Sequence, residues 1–192
     1  MIKKFRLLSV LLSMVMLVLV GCSNNNSTSN SNSTTDKTNS NTEVTTTQDY
    51  YNYLTERYNY YLGNSKLFND YDIYEEDFVY NGTNEDFIVE YDKSYEELKV
   101  NLESFKKDLE NYVKKGTPEV DKLNAEVIAD IDKAIVEVDK YTATLGEKTK
   151  DYATLAKDEM IKGFRDIGKA SHDALDDLKD LVDNAKEKLG IS

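Results

Sequence analysis

The sequence predicts an all-α fold, an antiparallel bundle of three to four long helices on a disordered N-terminal tether. Three observations carry that prediction. Apolar residues recur at steps of three and four from Tyr95 to Tyr112, from Val120 to Leu145 and from Met160 to Ala185, a period that belongs to helices and that no strand produces. A single proline interrupts the 192 residues. Of the 25 residues from Ser23 to Thr47, 21 are Ser, Thr or Asn, a composition that cannot bury a core.

In chain order, Lys3, Lys4 and Arg6 precede a 14-residue run of apolar and weakly polar residues, Leu7 to Val20, which ends at Gly21 and Cys22. Basic, then apolar, then small is the order of a signal peptide. A permanent span needs about 20 residues, so a removable signal is the better reading. The residues Leu19-Val20-Gly21-Cys22 resemble the lipobox of bacterial lipoproteins, and Cys22 is the one cysteine of the chain. The resemblance implies cleavage before Cys22, a diacylglycerol on its thiol, and a lipid-anchored, extracytoplasmic protein on the outer face of the cytoplasmic membrane. An acylated Cys22 leaves no thiol for disulfides, thiol catalysis or a Cys-based metal site. Two or three acyl chains suffice for stable anchoring.

Loss of residues 1–21 leaves 21 basic groups against 36 acids, a net charge of −15. Such a field repels nucleic acid, anionic head groups and anionic wall polymers, unless a divalent cation bridges them. Residues 22–47 read as a spacer with a typical span of roughly 25 to 30 Å and a stretched limit of about 85 Å. The helical domain then occupies residues 48–192, long enough for one modest core.

The first helix of that domain has two sides. Tyr51, Leu54, Tyr58, Tyr61, Ser65 and Phe68 follow helical spacing, while Tyr53, Tyr60, Leu67 and Tyr74 recur every seven residues on nearly the opposite face. Between Glu75 and Asp92 the period fails; Asn81-Gly82 marks a turn, and Phe78-Val79 and Phe87-Ile88-Val89 are short apolar pieces of a structured loop with room for one short helix. The stripe Tyr95, Leu98, Leu102, Phe105, Leu109, Tyr112 is stopped by Gly116. Thr117-Pro118-Glu119 then reads as an N-cap, a first-turn proline and an acid at the positive helix end. The next stripe, Val120 to Leu145, ends at Gly146. In the last, through Met160, Phe164, Ile167, Ser171, Ala174, Leu178, Leu181 and Ala185, Gly163 and Gly168 are places for a bend or a break, and the end is expected to fray.

The search for chemistry yields little. His172 is the one histidine, and on a helix its neighbours Ser171 and Asp173 point about 100° away from it, so the three cannot form a relay; a solvated surface histidine is expected. Asp70-Tyr71-Asp72-Ile73-Tyr74-Glu75 begins like a calcium loop but has tyrosine at its fifth position and glutamate where a glycine should turn. No metal ligand set, phosphate-cradling loop or dinucleotide fingerprint is present, so no cofactor is expected. The compositional anomaly is tyrosine: nine of 14 lie between Tyr50 and Tyr80. Tyrosine suits both half-buried core edges and binding surfaces. Tyr53, Tyr60, Leu67 and Tyr74 are therefore the candidate partner-binding residues, with core packing as the competing assignment.

The segment Arg57-Tyr58-Asn59-Tyr60-Tyr61-Leu62-Gly63-Asn64, behind a lipobox and a spacer, is similar to the opening helix of the YiiG-like family of uncharacterised bacterial lipoproteins. That resemblance implies a helical envelope domain and carries over no functional residue. The expected function is contact and not catalysis: an envelope interaction or structural lipoprotein, held to the membrane through Cys22, with an envelope protein or cell-wall component as partner and no nucleic acid. The alternatives are a binder of small molecules or glycans through the tyrosine-rich helix, and an immunity or exclusion lipoprotein.

Overall fold

A computed structural model describes residues 44–191. The signal peptide, the lipobox with Cys22 and the spacer up to residue 43 lie outside the described residues. Helix α1 spans Thr47–Tyr58 and runs on into a π-helical turn, Asn59–Gly63; α2 is Lys66–Asn69, α3 Asn84–Tyr112, α4 Pro118–Tyr152, α5 Lys157–Asp183 and α6 Ala185–Lys188.

The expected stripes form the core. Leu98, Leu102, Phe105 and Leu109 of α3, Val120 to Leu145 at helical spacing on α4, and Met160, Phe164, Ala174 and Leu178 of α5 are buried. Ion pairs report the register on either side of α4. Lys99 reaches Asp139 at 2.6 Å and Lys106 reaches Asp132 at 2.7 Å, so α3 and α4 are antiparallel. Lys133 pairs with Asp177 of α5, and Glu126 with Lys188 of α6 at 3.1 Å, so α5 and the α6 that follows it run antiparallel to α4. These pairs sit in water and each contributes at most about 1 kcal/mol; their value here is geometric. Phe87 meets Phe164 at 5.3 Å and Tyr95 Oη lies 3.2 Å from Ser171 Oγ, numbers that rise together as they must for parallel α3 and α5.

Helix α1 is antiparallel to α3, with Tyr53 against Tyr112 and Tyr58 against Phe105, both at 6.4 Å. It covers only the C-terminal half of α3. Residues 64–83 cover the other half with buried Leu67 and Ile73 and with Tyr71 and Tyr80, whose rings lie 6.0 and 5.0 Å from Phe87. Two cations of α5 fasten this segment through backbone carbonyls. Arg165 Nε donates to Ile73 O and its Nη2 to Glu75 O at 3.3 Å, while Lys157 Nζ donates to Tyr80 O at 2.9 Å and Gly82 O at 2.7 Å.

Several boundaries differ from the expected ones. Phe87-Ile88-Val89 lies within α3 and not in a loop, because the Thr83 hydroxyl accepts from Asp86 N at 3.1 Å and starts the helix ahead of it, at Asn84. Thr117 does hold the expected N-cap position before Pro118 and Glu119, but its side chain makes no cap bond; its hydroxyl donates to Thr45 O at 3.1 Å, and the Asp121 carboxylate accepts from Gly116 N at 3.0 Å. Gly146 does not stop α4, which continues to Tyr152, whose ring packs on Phe164 at 5.3 Å. Helix α5 passes unbroken through Gly163 and Gly168. At the C-terminal end, where fraying is expected, Leu189 is buried against the bundle. The domain also begins before Gln48: Val44 is buried, its N donates to Tyr112 O and its O accepts from Lys114 N, both at 3.1 Å, and Thr46 caps α1.

Candidate contact surface at a π-helical turn

Residues Tyr53, Tyr60, Leu67 and Tyr74 do not share a face. In an α-helix each residue advances by about 100°, so Tyr53 and Tyr60 would lie nearly one above the other. The wider π turn of Asn59–Gly63 advances each residue by less and changes the phase. Leu62 swings inward and becomes buried, Tyr61 turns onto α3, and Tyr60 is carried outward to 68% exposure while Tyr53 stays at 8%. Leu67 belongs to the separate helix α2 and is buried. Tyr74 is half-buried in the segment after it, donating its hydroxyl to Arg165 O at 3.1 Å and lying flat on His172 with ring centres 3.9 Å apart.

The expected solvated histidine is therefore half-covered by Tyr74, with Nε2 3.3 Å from Asp176. Ser171 is buried and donates to Gly168 O at 2.8 Å. In the Asp70 to Asp77 stretch the Asp72 side chain accepts from Tyr74 N at 3.0 Å and closes a local turn. Among the described residues no group of three or more His, Cys, Asp or Glu is placed to hold a metal ion.

The surface that does form is centred on Tyr60. Its ring stands edge-to-face on Tyr61, 4.8 Å between centres at 85°. Tyr61 is in turn stacked on Phe105 at 6.0 Å and donates its hydroxyl to Asp108 at 2.9 Å. Tyr53 donates to the Asp108 backbone carbonyl at 3.3 Å, and the Arg57 guanidinium lies 5.2 Å over the Tyr53 ring and 3.7 Å from the Asp108 carboxylate. Tyr112, 37% exposed, borders the patch beside Tyr53. Desolvation, then the hydrogen bond to Asp108, push the Tyr61 hydroxyl up to about 12, so it remains a neutral donor at physiological pH.

Asn59, Gly63 and Asn64 are exposed beside Tyr60. The turn holds its shape through Asn69, whose Nδ2 donates to Ser65 O at 2.9 Å, and through Ser65, which accepts from Leu67 N at 3.3 Å. A Cβ at Gly63 would stand 3.2 Å from Asn59 Oδ1, a tight contact that a small shift of the exposed Asn59 side chain would relieve. Sequence reasoning found Tyr60 and Tyr53 but missed Tyr61, Arg57 and Asp108. The doublet Tyr60-Tyr61 was the available signal, because two adjacent tyrosines cannot both face one core. No family model, curated protein or solved structure matches the chain.

Proposed function

We propose that this chain is a lipid-anchored extracytoplasmic protein on the outer face of the cytoplasmic membrane, acting by contact and not by catalysis. The observation that carries the reading is the order Lys3-Lys4-Phe5-Arg6, apolar run, Leu19-Val20-Gly21-Cys22, with the sole cysteine where the apolar run stops. The domain that follows the spacer supports it by presenting an exposed tyrosine, Tyr60, whose ring rests edge-to-face on Tyr61, which in turn bonds to the Asp108 of an Arg–Asp pair. Tyrosine and arginine are the residue types enriched where partners bind. Its partner on this reading is an envelope protein or a cell-wall component. The eight residues that resemble the YiiG-like lipoproteins, Arg57 to Asn64, contain this turn and fit the same assignment.

Cys22→Ala tests it, because no second thiol can accept the acyl chain. Metabolic labelling with a fatty-acid analogue should mark the parent and leave the variant unlabelled. Equal labelling of the two would overturn the assignment.

A second reading, an immunity or exclusion lipoprotein that intercepts a cationic peptide, is favoured by one observation. Between Leu67 and Asp92 the chain carries nine acids and no Lys or Arg, and the two cations that touch this segment from α5 are engaged with its carbonyls.

A further inference from the structure

We propose that the π-turn surface around Tyr60 binds a neutral, hydroxyl-rich glycan strand. The inference rests on the contact reading above and names the partner class for that surface. From Tyr58 to Ser65 the sequence is uncharged, and the flanking Arg57 is compensated by Glu56 at 4.0 Å and Asp108 at 3.7 Å. In a chain of net charge −12 this is a neutral window. An anionic ligand would be repelled by the surrounding field, and a cationic one would find stronger attraction on the acidic segment Asp70–Asp77.

The window is also ill-suited to an apolar partner. Burying Asn59 and Asn64 against hydrocarbon would strip water from their side-chain amides without full replacement, at a cost in binding. A sugar removes that cost. Its hydroxyls donate and accept, which the Asn59 amide, and the Asn64 amide with one N–H already given to Asn59 O at 3.4 Å, can still satisfy from both ends, and its C–H face offers a flat apolar surface to the open side of the Tyr60 ring. Tyr60 is preorganised for such stacking, because Tyr61 holds its ring edge-to-face at 4.8 Å while Phe105 and Asp108 hold Tyr61. A ring already fixed loses less side-chain entropy on binding. Gly63 leaves the approach beside Asn59 free of a side chain.

The test uses the full-length chain in detergent, titrated calorimetrically with three probes: a neutral N-acetylglucosamine oligomer, a polygalacturonate and a polylysine peptide. Binding of the neutral oligomer is expected, weakened at least tenfold by Tyr60→Ala, largely kept by Tyr60→Phe, and weakened by Asn64→Leu. Thermal melts of the three variants should match the parent, so loss of binding cannot be assigned to unfolding. No heat from the neutral oligomer, undiminished binding by Tyr60→Ala, or binding confined to polylysine would each overturn the proposal. Because lipidation is read by fatty-acid labelling and glycan binding by calorimetry, failure of one leaves the other distinguishable.

Discussion

At the scale of single residues, glycines inside two long helices serve opposite ends. Gly168 is a slot: a Cβ there would stand 2.8 Å from the Tyr74 hydroxyl and 3.1 Å from the Tyr141 ring. Gly163 is a second slot, with the Tyr152 ring 2.9 Å from its would-be Cβ. Tyrosines from α4 and from the segment before α3 can lie against α5 because these positions carry no side chain. Gly146 has nothing within 4 Å and only weakens the middle of α4. Gly168→Ala should therefore cost about 1 to 3 kcal/mol through overpacking. Gly146→Ala should gain up to about 1 kcal/mol of helix propensity. Denaturant unfolding of the two variants gives the signs directly, and a neutral or stabilising Gly168→Ala would show that the rings retreat at no cost.

At the scale of elements, what the sequence disclosed depends on how many turns a pattern had in which to repeat. The stripes of α3, α4 and α5 repeat over many turns, and nearly every residue named from them is buried, Tyr112 at the end of α3 being an exception. The π turn spans five residues and shifts the phase once. Nothing in Asn59-Tyr60-Tyr61-Leu62-Gly63 announces that shift, so Tyr53, Tyr60, Leu67 and Tyr74 looked like one stripe and became four separate environments. The start of α3 was hidden for a different reason: Phe87 and Ile88 face a core made by residues 64–83, which have no period of their own. Val44 was hidden by its neighbours, since one valine in a run of Ser, Thr and Asn reads as spacer. Its burial and the Thr46 cap predict that a domain starting at Gln48 is less stable than one starting at Ser40. The loss should be about 1.5 to 3 kcal/mol for the valine and about 1 kcal/mol for the cap. Melting temperatures of the two truncations check this, and equal values would mean that Val44 contributes nothing to holding α1 on the bundle.

At the scale of the whole molecule, an acidic surface encloses a largely aliphatic core that holds five buried tyrosines among the described residues, and the two together set how the fold meets alkali. Burial is the leading cause that raises Tyr58 and Tyr61 to about 12 and Tyr50, Tyr53 and Tyr74 further, with Tyr91 and Tyr141 held well above their ordinary value. The unfolded chain ionises near 10. Above that pH it binds fewer protons than the native state, so stability falls as pH rises. The contribution of these rings is complete below about pH 10 and is lost as pH climbs through the folded values. Each tyrosinate formed would be a largely buried negative charge in a molecule whose net charge is already −12, and Arg57 beside Tyr53 and Tyr61 and Arg165 beside Tyr74 offset it only in part. Ionisation of the core tyrosines and loss of helix should therefore occur as one transition above pH 10, followed together by tyrosinate absorbance and circular dichroism. Appearance of most of the tyrosinate while the helical signal is intact would refute the linkage. Salt separates the two causes: if burial dominates, added salt should move the midpoint little, whereas repulsion across the acidic surface is screened beyond about 10 Å at 0.1 M and would let salt raise it.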